Sequence, residues 1–362
     1  MNSRSIIGIG LAACAVAVAS PVSMGASGAT ASVTAGRTTA TYAISLPVPP
    51  RLQWNANNGY CGEVTFISAG LHFGQYLSQY DARAIASNGT PQYELKAQLL
   101  LGVNDTHAAS QMRLASTAWT PGAGSTASSF LTWVKTQVIE GHPVAIGVYT
   151  NEYLFYGSTN PNAGDPQYDH IVVVTGIKSA HPLTLPAAYY ATDQITFSDN
   201  GLWTGTASGR PQYSFSYVFG SFQATRQQAN AKTGNIYSLA DTARDYGIAL
   251  TGVADPGNET MPVSVSTSVN YEKPGIRNGS TVRPAPMPLT LTVTVSGLTP
   301  GRSYDLYRYD SVTVVPTASF NANAAAASQA WSFSATAGTW SLTQQIQSNE
   351  EVVYRAVPTS GP

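Results

Sequence analysis

The stretch Gly59-Tyr60-Cys61-Gly62-Glu63-Val64-Thr65-Phe66-Ile67-Ser68-Ala69-Gly70-Leu71-His72-Phe73-Gly74-Gln75-Tyr76-Leu77 decides how this chain is read. Placed at 100° per residue, Val64, Phe66, Ile67, Gly70, Leu71, Phe73, Gly74 and Leu77 fill one wide arc, which predicts a helix over 62–79. The arc is too wide for a surface helix, so this one is expected to be mostly buried. The preceding Asn55-Ala56-Asn57-Asn58-Gly59 is turn chemistry. Cys61 therefore stands one residue ahead of the predicted helix, where unpaired amide N–H groups and the helix dipole favour a thiolate.

The number of cysteines gives that position weight. The chain has two, and Cys14 lies in the apolar run from Ile6 to Ala19, which follows Arg4 and leads into small residues through Ala29. Residues 1–30 read as a secretory signal and its cleavage region, with an uncleaved anchor as the alternative; the run is shorter than the roughly 18–20 apolar residues of a spanning helix. Cleavage leaves Cys61 alone in a secreted, extracellular protein, where no internal disulfide can form and an idle thiol is a liability. The competing reading is a buried structural cysteine acting as a small hydrophobe. Sequons at Asn88, Asn104, Asn258 and Asn278 suit export through a glycosylating pathway.

With 362 residues, 43% of them hydrophobic, the chain can bury a large core, and two domains are expected. Only 10% of residues are charged and the net charge is −1, which leaves no basic field for nucleic acid or for a membrane surface once the signal is gone. Residues 31–43 read as a flexible Ser/Thr/Ala/Gly lead. Further helices are predicted over 93–101 and 125–140, the last stopped by Gly141-His142-Pro143, and strands over 144–149, 170–177 and 195–198. Helices followed by strands make 44–235 an α+β domain. Residues 236–262 read as a connector. From 263 to 362 the texture changes: Leu289, Leu291, Val293 and Val295 alternate with threonines, and more strands are predicted over 303–309, 311–315, 330–335, 339–346 and 350–357, with 322–327 as a loop. Short, evenly spaced strands predict an all-β sandwich.

A nucleophilic thiol needs a base, and there are five histidines. His72 is eleven residues along the same predicted helix, about 16 Å away at 1.5 Å per residue, and cannot reach. His142 and His181 each precede a proline, and His107 lies in polar sequence beside a sequon. His170 instead opens the strand Ile171-Val172-Val173-Val174, a rigid mount at a sheet edge, though it could also be an ordinary strand-end histidine. The next strand runs into Asp199-Asn200-Gly201, which places a carboxylate or an amide where it could orient the imidazole, and which is also plain turn chemistry.

These residues resemble the motifs of papain-like cysteine peptidases, in particular the C39-like group. Gln53 upstream of Gly59-Tyr60-Cys61-Gly62 resembles the oxyanion glutamine and nucleophile motif; Glu140-Gly141-His142-Pro143-Val144-Ala145-Ile146 resembles a recurrent helix-to-strand passage; Asp169-His170-Ile171-Val172-Val173-Val174 resembles the histidine strand, and Phe197-Ser198-Asp199-Asn200-Gly201 the orienting residue. The resemblance covers about 44–223. It implies a papain-like fold in which Cys61 attacks a peptide or amide carbonyl, His170 carries the proton, Asp199 (or Asn200) orients it, and Gln53 stabilises the oxyanion; no metal or cofactor is implied. Gln53 is eight positions from Cys61, a longer interval than the family's, so Asn55 or Asn57 could donate in its place. Trp54, Tyr60, Tyr168 and Trp203 could line the cleft or pack in the core. Leu298-Thr299-Pro300-Gly301-Arg302-Ser303-Tyr304 resembles the turn and tyrosine corner of fibronectin type III domains, which supports the sandwich; a protein or glycan ligand for it goes with the expectation of a binding protein without catalysis. The implied activity is peptide or amide hydrolysis on a protein or peptide substrate. The competing expectations are an acyl or amide transferase using the same triad, and a papain-fold binding protein without catalysis.

Overall fold

Val144-Ala145-Ile146-Gly147-Val148-Tyr149-Thr150 and Ile171-Val172-Val173-Val174 show no polar alternation because the strands they form are covered on both faces. The computed structural model describes residues 41–54, 57, 59–151, 167–200, 214–224, 235–240, 245–269, 276–277, 280–281 and 285–359. The expected signal segment, residues 31–40 of the expected lead, Asn55, Trp203 and Asn278 lie outside them, while Tyr42 and Ala43 at the end of that lead pair with Ser179 and Lys178 as strand. In chain order the elements are β1 (Tyr42–Ser45), α1 (Cys61–His72), β2 (Gln75–Tyr76), α2 (Gln79–Ala86), α3 (Asp105–Gln111), β3 (Leu114–Ala118), α4 (Ala127–Ile139), β4 (Val144–Thr150), β5 (His170–Ser179), β6 (Gln194–Ser198), β7 (Ser214–Val218) and α5 (Phe219–Ala224). After these come β8 (Tyr237–Leu239), β9 (Gly247–Val253), β10 (Val263–Thr267), β11 (Ile276–Arg277), β12 (Ser280–Thr281), β13 (Pro288–Ser296), β14 (Ser303–Tyr309), β15 (Gln329–Ser334), β16 (Thr339–Gln347) and β17 (Val352–Pro358). The class is α+β, with helices and one sheet first and separate antiparallel sheets toward the C-terminus. No helix of the described residues is long and apolar enough to cross a membrane.

The first sheet has the order β3-β9-β4-β5-β6-β7, with β1 added to β5 and β8 to β4, and every pairing is antiparallel. Its strands β8 and β9 come from 236–262, the stretch expected as a connector. Side-chain alternation divides its two faces: Val144, Ile146, Val148, Val172 and Val174 pack with α4 and α5, while Ala145, Ile171, Ile248 and Leu250 pack toward α1. Beyond α1 lie the C-terminal sheets, β10-β13-β16 and β15-β14-β17-β2. Phe66, Ile67 and Leu71 of α1 share one core with Val263, Val265, Leu291, Leu306 and Val353. Every residue of α1 from Gly62 to Leu71 is therefore buried, as its wide apolar arc requires. The chain crosses from β13 to β14 through 297–302, where the Thr299 N–H donates to the Tyr304 hydroxyl (2.8 Å).

Several boundaries differ from the sequence reading, each for a local reason. The first helix ends at His72 rather than near Gln79: Phe73 N–H bonds back to Ala69 and Gly70, and Gly74 takes φ +78° against Val263, where a Cβ would come within 2.9 Å. Gln75 and Tyr76 then pair with Val353 and Val352 as an edge strand. Gln79 belongs to α2, which Ser78 caps by accepting from Asp81 N–H (3.1 Å). The expected helix at 93–101 is only one 3-10 turn, Leu95–Ala97. There the Asn104 side chain takes the Leu100 N–H and donates to the Gln98 and Ala86 carbonyls, competing with helical bonding. The expected strand 311–315 is a 3-10 turn, Val312–Val314, because the Ser311 hydroxyl accepts from Thr313 N–H and the Glu351 carboxylate accepts from Val312 N–H. The loop expected at 322–327 holds one 3-10 turn, Ala324–Ala326.

A buried ion pair locks α4 to the start of β6. Lys135 Nζ lies 2.6 Å from Asp193 Oδ2 and donates to the Ala188 carbonyl at 2.8 Å, with both side chains at 1% exposure or less. Truncating one partner strands the other as a buried charge, so Lys135→Met is expected to cost about 3–5 kcal/mol in urea unfolding. A loss below about 1 kcal/mol would show that Asp193 finds water instead.

Candidate active site

Backbone geometry delivers Cys61 to the first turn of α1. Gln53 Oε1 accepts from the Tyr60 N–H at 2.9 Å, and the Val64 N–H closes the first helical turn on the Tyr60 carbonyl (3.0 Å). The turn before it is held by Arg83, fully buried on α2: Nη1 donates to Asn57 O (3.1 Å) and Gln92 O (3.0 Å), Nη2 donates to Gly59 O, and the guanidinium lies 3.6 Å over the Tyr60 ring. Its Nε pairs with Glu63 at 2.6 Å, and the same carboxylate oxygen accepts from Leu99 N–H. Nothing in the sequence singled out Arg83, because its partners are mostly carbonyls that folding brings to it.

The helix N-terminus sits hard against the histidine strand. Thr65 Oγ1 donates to the Ile171 carbonyl (3.3 Å). At Gly62 an added Cβ would stand 2.1 Å from Leu99 O and 3.2 Å from Ile171 Cδ1. Backbone cannot yield as a side chain does. Gly62→Ala is therefore expected to cost at least about 3 kcal/mol, measured by urea unfolding; a variant within about 1 kcal/mol of the parent would contradict this packing.

Across that contact His170 meets Cys61. Its Nε2 lies 2.8 Å from Asp199 Oδ1, which leaves Nδ1 for the sulfur. Burial works against the charged imidazole, but hydrogen bonds to Asp199 and Cys61, with the charges of both, outweigh it and push His170 up to about 10. Tyr237 of β8 stacks on the His170 ring (centroids 6.0 Å, planes 16° apart) and is backed edge-on by Phe197 and Phe215. No motif marked Tyr237; the pairing of β8 with β4 puts it there. His170, Asp199 and Gln53 are 5%, 1% and 4% exposed, whereas Cys61 is only partly buried and so is the most accessible residue of the group.

The remaining candidates are placed as follows. The Asn200 side chain is buried and its Oδ1 has no hydrogen bond among the described residues, while its carbonyl accepts from the Gln53 N–H (3.4 Å). The contact to His170 is thus made by Asp199, and Asn200 instead ties the Gln53 segment to the end of β6. Gln53, with Oε1 committed to Tyr60, has its Nε2 left to donate. Asn57 turns its amide to the Tyr60 hydroxyl (3.1 Å). Asn55 lies outside the described residues. Trp54 and Tyr60 form an edge-on pair in a small core with Val64, and Tyr168 is buried with its hydroxyl on Leu101 O, so these rings are packing rather than cleft wall. His107 contacts Asn88, His142 contacts Gln137, and His181 stacks on Tyr190. Among the described residues no His, Cys, Asp or Glu cluster suited to a metal ion occurs. Comparison with protein-family models, with curated proteins and with solved structures finds no match.

Proposed function

We propose that this protein is a secreted cysteine hydrolase of papain-like fold that cleaves peptide or amide bonds through a thioester acyl-enzyme. The observation that carries the reading is the chain Cys61–His170–Asp199, with the 2.8 Å bond from His170 Nε2 fixing the ring so that Nδ1 serves the sulfur. An imidazolium within hydrogen-bond reach of a sulfur at a helix N-terminus favours the thiolate, the form that attacks. In the proposed sequence the sulfur adds to the scissile carbonyl, and the oxyanion is met by the Cys61 N–H and Gln53 Nε2. His170 then gives its proton to the leaving amine and takes one from the water that opens the thioester. Asp199 holds the ring and its charge throughout. The packing of α1 on the antiparallel sheet that carries His170 supports the papain-like reading, and the Thr299 to Tyr304 hydrogen bond supports a fibronectin-III-like sandwich for 263–362.

Labelling with iodoacetamide or an epoxide at neutral pH tests it. The full chain freed of its signal should take up one equivalent, Cys61→Ala none, and His170→Ala should react roughly 30-fold more slowly, because a free thiol is only a few per cent ionised at pH 7. Labelling no faster than that of the denatured thiol would sink the proposal.

A further inference from the structure

A cavity of about 480 Å³ opens at the far end of α1 from Cys61, walled by residues of β9, β10 and β17. Arg355 of β17 lines it at 2% exposure. The guanidinium finds only uncharged oxygens: Nη1 donates to Phe73 O (3.2 Å) and Tyr354 O (2.8 Å), and Nη2 to Gln75 Oε1 (3.4 Å). Burial pulls Arg355 down to about 10, with Tyr309 and Asp255 opposing, so it remains a cation at neutral pH.

Asp255 lines the same cavity and feels that charge, yet no ion pair joins the two. Its Oδ2 is committed to the N–H and hydroxyl of Thr260 (2.7 and 2.8 Å), while Oδ1 is buried with no hydrogen bond among the described residues. A buried cation without a counter-ion and a carboxylate oxygen without a donor are each costly. One molecule carrying both an oxyanion and an N–H donor would relieve both. The other walls mix hydroxyls (Thr251, Ser264, Ser296) with apolar groups (Phe73, Met261, Val263), and the volume suits a small organic ligand.

We propose that this cavity binds a small zwitterion, a free amino acid or dipeptide with an apolar side chain, its carboxylate on Arg355 and its ammonium on Asp255. The site is independent of the chemistry assigned to Cys61. Titration calorimetry on the full chain and on Cys61→Ala, which keeps hydrolysis out, decides it, with L-leucine, Ala-Leu, N-acetyl-leucine and leucinamide as ligands. Saturable binding of L-leucine or Ala-Leu is expected to both proteins. Each analogue lacking one charge should be weaker by about tenfold or more, the loss of a charge-assisted hydrogen bond. In Asp255→Asn, whose side-chain oxygen can still accept from Thr260, the preference for L-leucine over N-acetyl-leucine should vanish. No binding heat, the result if water alone bridges Arg355 and Asp255, would overturn the proposal, as would blocked analogues that bind as well as L-leucine. If Asp255→Asn does not fold, the analogue series on the unaltered chain decides.

Discussion

Deleting residues 263–362 will unfold the helix that carries Cys61 rather than release a working first half. Phe66, Ile67, Leu71, Tyr76 and Leu77 are fully buried in a core shared with β10, β13, β14 and β17. At about 1.5–3 kcal/mol for each large apolar side chain, losing even half of that burial removes about 5 kcal/mol, comparable with the roughly 5–15 kcal/mol that holds a whole domain together. The cut also breaks specific ties: Arg51 Nη1 to Thr267 Oγ1 (3.2 Å) and Val269 O (3.1 Å), just before Gln53, and Tyr76 Oη to Ser348 O (2.8 Å). Circular dichroism and limited proteolysis of residues 41–262 should show no cooperative melt. A truncated chain that melts cooperatively and keeps the labelling rate of Cys61 would refute the buttressing role assigned to the C-terminal sheets.

The second large effect concerns proton affinity. His170 is raised from the ordinary 6.5 to about 10 in the folded chain, so the folded state holds its proton more tightly than the unfolded state does. The stabilisation this gives is complete below about pH 6.5 and is lost as pH rises from there through about 10. NMR of ring-labelled His170 should therefore show no titration between about pH 5 and 8. Two of the influences that raise it come from Cys61 and two from Asp199, against a burial that lowers it. In Cys61→Ala or Asp199→Ala the midpoint should fall toward the ordinary imidazole range, and further in the double variant. An unchanged midpoint in both single variants would mean that the pairing does not hold the proton.

Much of the site was legible in the sequence because its members sit where elements begin and end. Turn chemistry before an apolar helical arc located Cys61, a strand head located His170, and the tail of the next strand located Asp199. His170 and Asp199 meet through antiparallel pairing of β5 with β6, in which Val173 faces Ser198, and the packing of α1 on β5, with Thr65 Oγ1 donating to the Ile171 carbonyl, brings the head of the helix to them. The supporting residues were not legible. Arg83 acts through carbonyls of a turn on another segment, and Tyr237 reaches His170 through a strand pairing some 67 residues away in the chain, neither of which leaves a local pattern. The interval of eight positions from Gln53 to Cys61 contains a turn that Arg83 holds through the Asn57 and Gly59 carbonyls.

By itself, then, the sequence determined periodicity: a buried helix after a polar turn, apolar strands, threonine alternation toward the C-terminus, and a cysteine at the head of the helix. Only the tertiary structure decided where that helix stops, since Gly74 and the pairing of Gln75 and Tyr76 with Val353 and Val352 overrule an apolar pattern that runs on to Leu77. It also decided which of two adjacent polar residues, Asp199 or Asn200, meets the histidine. The physical reason is the same in each case. Local pattern reports which face of an element is apolar, whereas caps, strand pairing and hydrogen-bond partners come from residues distant in the chain, and those contacts set where the helix ends and which side chain reaches the ring.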